Sequence, residues 1–75
     1  MNDHRNDIET GYIDEVLQRL GDETPTKFID VTKSPALENV TYFRCYQRLI
    51  SLAAHNKVEI MRKDGRVYYV TKSGK

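Results

Sequence analysis

Residues 42–75, YFRCYQRLISLAAHNKVEIMRKDGRVYYVTKSGK, contain the patterns that decide the fold of this chain. Their first half predicts a helix from about Val40 to Asn56, with Asn39 as its N-cap, because the apolar residues fill one broad arc at 100° per residue. The predicted core arc consists of Tyr42, Phe43, Cys45, Tyr46, Leu49, Ile50, Leu52, Ala53 and Ala54. The rest of the helix has no acid, and Arg44 and Arg48 lie four residues apart on one face.

The second half of this segment predicts a β-hairpin. Two β-rich runs, residues 58–62 and 66–71, flank the pair Asp64-Gly65. This pair favours a two-residue type I′ turn, because both of its positions need positive φ. The turn fixes the register, and the predicted cross-strand pairs are Ile60 with Tyr69 and Met61 with Tyr68.

A first helix is predicted from Ile8 to Leu20. Its apolar residues recur at three- and four-residue steps: Ile8, Tyr12, Ile13, Val16, Leu17 and Leu20. Asp7 is expected to be the N-cap and Gly21 a left-handed C-cap. The outer face carries Glu9, Asp14 and Glu15, which would repel phosphate. We therefore expect this helix to be scaffold or a dimer surface.

A short second helix is predicted to follow Thr24, with Pro25 at its first position. Its apolar residues are Phe28, Ile29 and Val31. Ser34-Pro35 should interrupt it, because a residue that precedes proline avoids helical angles. Ser34 can then cap a further turn through Leu37.

Size and composition predict a single domain over residues 1–75, with a flexible arm at 1–6 and a flexible tail at 72–75. A domain of 75 residues has little room for a deep pocket, and the sequence has no nucleophile–base pair or phosphate loop. We therefore expect no enzyme activity, no catalytic residue and no cofactor. Cys45, His4 and His55 lack the paired spacing of zinc ligands, so no metal site is predicted.

The same composition bears on where the chain resides. No apolar run approaches the roughly 18 residues that a membrane span needs, and the polar N-terminus resembles no targeting peptide. One cysteine cannot form an internal disulfide, which favours a reducing cytoplasm. Cys45 falls in the core arc, so a buried thiol is favoured over a redox switch.

The charges are distributed unevenly along the chain. Residues 1–38 hold four bases and nine acids, a net charge of −5, whereas residues 39–75 hold eight bases and two acids, a net charge of +6. Such asymmetry suggests a polyanionic partner for the basic half. A solvated surface whose charges happen to segregate is the alternative.

The order helix, short helix, long helix and hairpin resembles the winged helix-turn-helix regulators of the MarR and PadR type, including small archaeal, plasmid and viral repressors. Arg44 and Arg48 match the arginine-bearing recognition helix, Asp64-Gly65-Arg66 matches the wing tip, and the segment Tyr69 to Gly74 is a shortened form of the family's Tyr-x-x-Thr-x-x-Gly ending. The resemblance implies an α+β fold of three helices followed by a two-stranded wing. Two features depart from the family: the long link over residues 32–39 and the absence of a helix after the wing.

The resemblance and the charges together imply a double-stranded DNA-binding protein, and a transcriptional regulator above all. A recognition helix fits the major groove, where arginine pairs with guanine and glutamine with adenine. The expected contacts from that helix are Thr41, Arg44, Gln47, Arg48 and Ser51. The expected contacts from the wing and its flanks, mainly to phosphate, are Arg62, Lys63, Arg66, Lys57 and Lys72. This hypothesis requires both sets to converge on one outward-facing surface.

Other roles stay open at this stage. Winged helices also serve as protein-interaction modules, because a fold does not determine a function. A replication or recombination accessory factor is a further DNA-binding alternative. A homodimer is compatible with the composition and would use the first helix, the N-terminal arm or an exposed part of the long helix.

Overall fold

The computed structural model describes residues 4–22 and 24–72, which form a small α+β domain. Its elements in chain order are α1 (His4–Leu20), β1 (Thr26–Lys27), α2 (Phe28–Thr32), a 3₁₀ turn (Pro35–Leu37), α3 (Tyr42–Ala54), β2 (Val58–Lys63) and β3 (Arg66–Thr71). The strands make one antiparallel sheet in the order β1-β3-β2. The helices pack together on one face of this sheet.

The hairpin has the predicted turn and register. Asp64 has φ of 55° and Gly65 has φ of 76°, the two positive values that a type I′ turn needs. Ile60 pairs with Tyr69, and the next pair on the other face joins Met61 with Tyr68. The backbone therefore fixes which side chains of the hairpin point toward the helices.

The sheet has a third strand that the sequence analysis did not predict. Thr26 and Lys27 pair with Tyr69 and Tyr68 of β3. The sheet therefore has three strands rather than the two that were predicted, and β3 is its central strand. The second helix consequently begins at Phe28 rather than at Pro25. Two paired residues are too short a stretch to show an alternating pattern, and tertiary pairing decides their conformation.

The ends of α1 also differ from the prediction. The helix begins at His4, so residues 4–6 are helical rather than part of an arm, and Asp7 lies inside the helix. Gly21 is not in the left-handed conformation, so it is not the predicted C-cap. The expected ends of the arm and tail, residues 1–3 and 73–75, lie outside the described residues.

Helix α3 is shorter than predicted at both ends. The Thr41 hydroxyl accepts a hydrogen bond from the Arg44 N–H at 3.2 Å, so Thr41 and not Asn39 caps the helix. The helix ends at Ala54, and Asn56 leaves it with a positive φ of 62°. The backbone then enters β2 directly.

Each element contributes to a single core. The fully buried side chains include Ile13 and Leu17 of α1, Phe28 of α2, Leu49 of α3 and Tyr69 of β3. Ser34-Pro35 does interrupt the second helix as predicted, and the turn after it places Leu37 in the same core. Within the described residues, no helix is both long and apolar enough to cross a membrane.

Gly21 is required because the ring of Tyr69 lies against its Cα. A Cβ at this position would collide with the ring, and the ring cannot move, because it is buried and its hydroxyl donates to the Leu17 carbonyl. We predict that Gly21→Ala lowers the free energy of unfolding by about 1–3 kcal/mol, the usual cost of overpacking.

Gly11 provides the matched control for this prediction. It lies within α1, and a Cβ there meets open space. Gly11→Ala should raise the free energy of unfolding by about 0.5–1 kcal/mol, the propensity gain of alanine over glycine in a helix. Urea denaturation followed by circular dichroism measures both changes, and equal effects at the two positions would contradict this account.

Candidate nucleic-acid interface

The two predicted contact arginines of α3 lie on its flank rather than on its outer face. Arg44 and Arg48 are both partly buried at the packing interface between α3 and α1. Neither guanidinium is therefore free on an outward-facing surface, because the acids of α1 face the same interface. Contact of this pair with DNA stays a prediction.

Arg48 forms a bidentate ion pair with Asp14. Its Nε and Nη2 atoms donate to Oδ1 and Oδ2 of the carboxylate, each at 2.9 Å. The two side chains are only 28% and 22% exposed, so solvent screens the pair incompletely. The hydrogen bond to Asp14 raises the pKa of Arg48 above its ordinary value. The pair thus fixes the Arg48 guanidinium against α1.

Arg44 contacts the turn of α1 that precedes Asp14. Its Nε lies 3.1 Å from Oε1 of Glu9 in an ion pair whose N–H is not aligned as a hydrogen bond. Its Nη2 donates to the Thr10 hydroxyl at 3.1 Å. Glu9 and Asp14, which sequence analysis treated as repelling phosphate, are therefore the partners of the two arginines.

The other three predicted residues of α3 have different surroundings. The Thr41 hydroxyl is the helix cap, and Ser51 is half-buried while its carbonyl accepts the His55 N–H. Gln47 is exposed, and its amide makes no hydrogen bond within the described residues. Of the five residues, Gln47 alone is exposed and has a side chain without a hydrogen bond in the described part of the chain.

The outer face of α3 is apolar. Phe43, Gln47, Ile50 and Ala54 follow one another at helical spacing along this face, and all four are exposed. Phe43 is 68% exposed and Ile50 is 44% exposed. The predicted core arc was therefore too wide, since only Cys45, Leu49 and Leu52 of α3 are buried. We call these four residues the α3 stripe.

The hairpin carries the exposed positive charge. Arg62, Lys63 and Arg66 surround the turn, and all three are exposed. Lys57 and Lys72 lie together at the opposite end of the hairpin, where the Lys72 N–H donates to the Lys57 carbonyl at 3.0 Å. Among residues 8–22 and 24–72, whose side chains the structure describes, none of these five side chains has an acid within 4.0 Å. The hairpin therefore has five exposed cations, three at its tip and two at its other end.

The tyrosines and the cysteine have mainly structural surroundings. Tyr42 and Tyr46 stack with their ring planes 7° apart, and both meet the edge of Phe28. Cys45 is buried as predicted, and desolvation raises the pKa of its thiol. Burial likewise raises the pKa of Tyr69. In the described part of the chain, no three His, Cys, Asp or Glu residues gather into a metal site.

No protein-family model matches this chain, and no curated protein or solved structure is significantly similar to it. The chemistry of the surface is therefore the basis for a functional proposal.

The Arg48–Asp14 pair should contribute to stability. We predict that Asp14→Asn lowers the free energy of unfolding by about 1–2 kcal/mol, because it leaves a partly buried guanidinium without its anion. The control is Glu15→Gln, since Glu15 pairs with Arg19 at 3.9 Å on an exposed face and should contribute at most about 0.5 kcal/mol.

A double-mutant cycle with Asp14→Asn and Arg48→Gln measures the coupling by urea denaturation. We expect a coupling energy of about 1 kcal/mol. A coupling near zero would mean that the two side chains do not hold each other in solution.

Proposed function

We propose that this chain is a winged helix-turn-helix domain that binds double-stranded DNA and acts as a transcriptional regulator. The order helix, strand, helix, helix, strand, strand and the sheet order β1-β3-β2 support this fold. A regulator of this kind would act in the cytoplasm, where the DNA of a small genome is accessible.

The observation that carries this proposal is the uncompensated charge of the hairpin. Its five bases outnumber its two acids, Glu59 and Asp64. Cations that are exposed and lack internal partners attract phosphate without the need to break an existing ion pair. Arg62, Lys63 and Arg66 would therefore contact the backbone or the minor groove, and Lys57 and Lys72 would add attraction that does not depend on base sequence.

The role of α3 differs from the expectation based on its arginines. Arg44 and Arg48 would have to leave Glu9 and Asp14 to reach a base, and each exchange replaces one charge-assisted contact with another. We therefore assign them to the scaffold. Gln47 is the polar side chain of α3 that can approach a base without this exchange.

Loss of the wing charge should weaken DNA binding strongly. We predict that the triple change R62Q, K63Q and R66Q lowers affinity for a random duplex at low salt by about 100-fold. The slope of log K against log salt should fall by about 2.7, or 0.9 for each phosphate contact. Fluorescence anisotropy with a labelled duplex measures both quantities.

Arg19→Gln is the control, because Arg19 is exposed but lies on α1 next to Glu15. It should change affinity by less than about twofold. Wild-type protein that binds no duplex at low salt, or a triple variant that binds normally, would overturn the proposed function.

A second candidate function, self-association, rests on the α3 stripe. Exposed Phe43, Ile50 and Ala54 are adjacent, and such patches mark interaction sites. Positions 43, 47, 50 and 54 are symmetric about their midpoint. An antiparallel second copy would therefore place Phe43 against Ala54 and Gln47 against Ile50, so that a large side chain meets a small one. We propose this pairing as the homodimer contact, in which case the hairpins alone would approach DNA.

Phe43→Gln tests the dimer. The change should weaken the dimer at least about tenfold while leaving the monomer fold intact, because the side chain is mostly exposed in the monomer. Ile8→Gln is the control, since Ile8 is 73% exposed but lies on α1. Sedimentation equilibrium over a wide range of protein concentration measures the effect, and a strictly monomeric wild-type protein would exclude this contact.

A further inference from the structure

A cleft of about 200 Å³ opens where the hairpin tip meets α2 and the first turn of α3. Phe28 and Val67 form part of its apolar lining, and Lys27, Tyr42 and Arg66 are its polar lining residues. Three separate segments of the chain thus bring two cations and a phenol to one depression. Neither Lys27 nor Tyr42 is among the contact residues predicted from the sequence.

The two cations of this cleft have no anion. Lys27 and Arg66 have no carboxylate within 4.0 Å among the side chains of residues 8–22 and 24–72. Asp30 and Asp64 are close to them along the chain but form no ion pair with either. This contrasts with Arg44 and Arg48, whose charges are balanced by α1. A cleft lined by two like charges provides a positive potential that favours a bound anion.

Contacts with two neighbouring aromatic rings hold the Tyr42 side chain in place. It stacks on Tyr46 with the ring centroids 6.3 Å apart, and it forms a T-shaped pair with Phe28 whose centroids are 5.2 Å apart. The side chain is nevertheless 49% exposed, and its hydroxyl makes no hydrogen bond in the part of the chain that the structure describes. Because the ring is already fixed, the hydroxyl can donate a hydrogen bond to a ligand with little further loss of side-chain entropy.

We propose that this cleft binds one phosphodiester group of a DNA backbone. Lys27 and Arg66 supply the charge, and the Tyr42 hydroxyl donates a hydrogen bond to a phosphate oxygen. This inference rests on the proposed DNA-binding function and adds a defined phosphate contact to it. Because Arg66 belongs to the wing and Tyr42 to α3, one phosphate bound here would fix the position of α3 relative to the duplex.

The first test measures binding of a labelled random duplex by fluorescence anisotropy over a range of salt concentrations. Lys27→Gln should lower affinity about fivefold and reduce the salt slope by about 0.9, whereas Lys27→Arg should restore both. Tyr42→Phe should lower affinity about threefold with an unchanged salt slope, because it removes a hydrogen bond and no charge.

Two controls match these changes. Lys33→Gln removes an exposed lysine at the end of α2, outside the cleft lining, and should alter affinity by less than about twofold. Tyr12→Phe removes a hydroxyl that donates to the Ala36 carbonyl, and it should not change DNA affinity. Thermal melting of each variant confirms that the fold is retained.

The outcomes separate this inference from the proposed function. If duplex binding depends on Arg62 and Lys63 but tolerates Lys27→Gln and Tyr42→Phe, the DNA-binding function stands and the phosphate cleft is wrong. If the wild-type protein binds no duplex, the proposed function is wrong.

If the wild-type protein binds no duplex, a second measurement tests whether the cleft binds a phosphodiester. Titration with dimethyl phosphate, followed by amide NMR shifts, should perturb Lys27, Tyr42 and Arg66 in the wild-type protein but not in Lys27→Gln. Absence of these shifts would overturn the cleft as a phosphodiester site.

Discussion

The position of Tyr69 is the constraint on which the rest of the structure depends. Its hydroxyl donates to the Leu17 carbonyl, its ring lies against Gly21, and its edge contacts Phe28. Its backbone pairs with both outer strands. Burial raises the pKa of this phenol, so it stays a neutral donor at physiological pH. One central side chain therefore sets how the hairpin meets the helices, and with it the place of every wing cation.

The two oppositely charged halves of the chain partly neutralise each other. Asp14 and Glu9 of the acidic half pair with Arg48 and Arg44 of the basic half across the α1–α3 interface. Charge asymmetry along the sequence suggests an external polyanion, but part of it is balanced by these internal ion pairs. Most of the positive charge that remains unpaired in the described residues lies on the hairpin, with Lys27 beside it and Lys33 at the end of α2.

The features that the sequence predicts well are those that local geometry determines. Asp64-Gly65 specifies a turn, the turn specifies a register, and Ile60 opposite Tyr69 follows without knowledge of the rest of the fold. The apolar spacing of α1 and α3 likewise predicts both helices. Their exact ends depend on single caps such as Thr41, which competes with Asn39 two residues earlier.

The features that the sequence does not predict arise between elements. Lys27 becomes a strand residue only because β3 lies beside it, and no local pattern marks two residues as a strand. Arg44 and Arg48 are correctly placed on one helix face, but a helical wheel does not say whether α1 or solvent covers that face. The same limit made Phe43 and Ile50 look like core, although α2 and the sheet do not reach them.

The internal pairing of the arginines has a consequence for how selective a DNA-binding role would be. A guanidinium already held in a bidentate pair gains little by moving to a guanine, because it must first give up Asp14. Exposed wing cations can bind phosphate without breaking an internal ion pair, but phosphate contacts carry no information about base sequence. Where α3 faces the duplex rather than a second copy of the chain, selectivity would depend on Gln47, on contacts of Phe43 and Ile50 with thymine methyl groups, and on where a phosphate in the Lys27–Tyr42–Arg66 cleft holds α3. Such a domain would bind many duplexes with similar affinity and distinguish them mainly by shape.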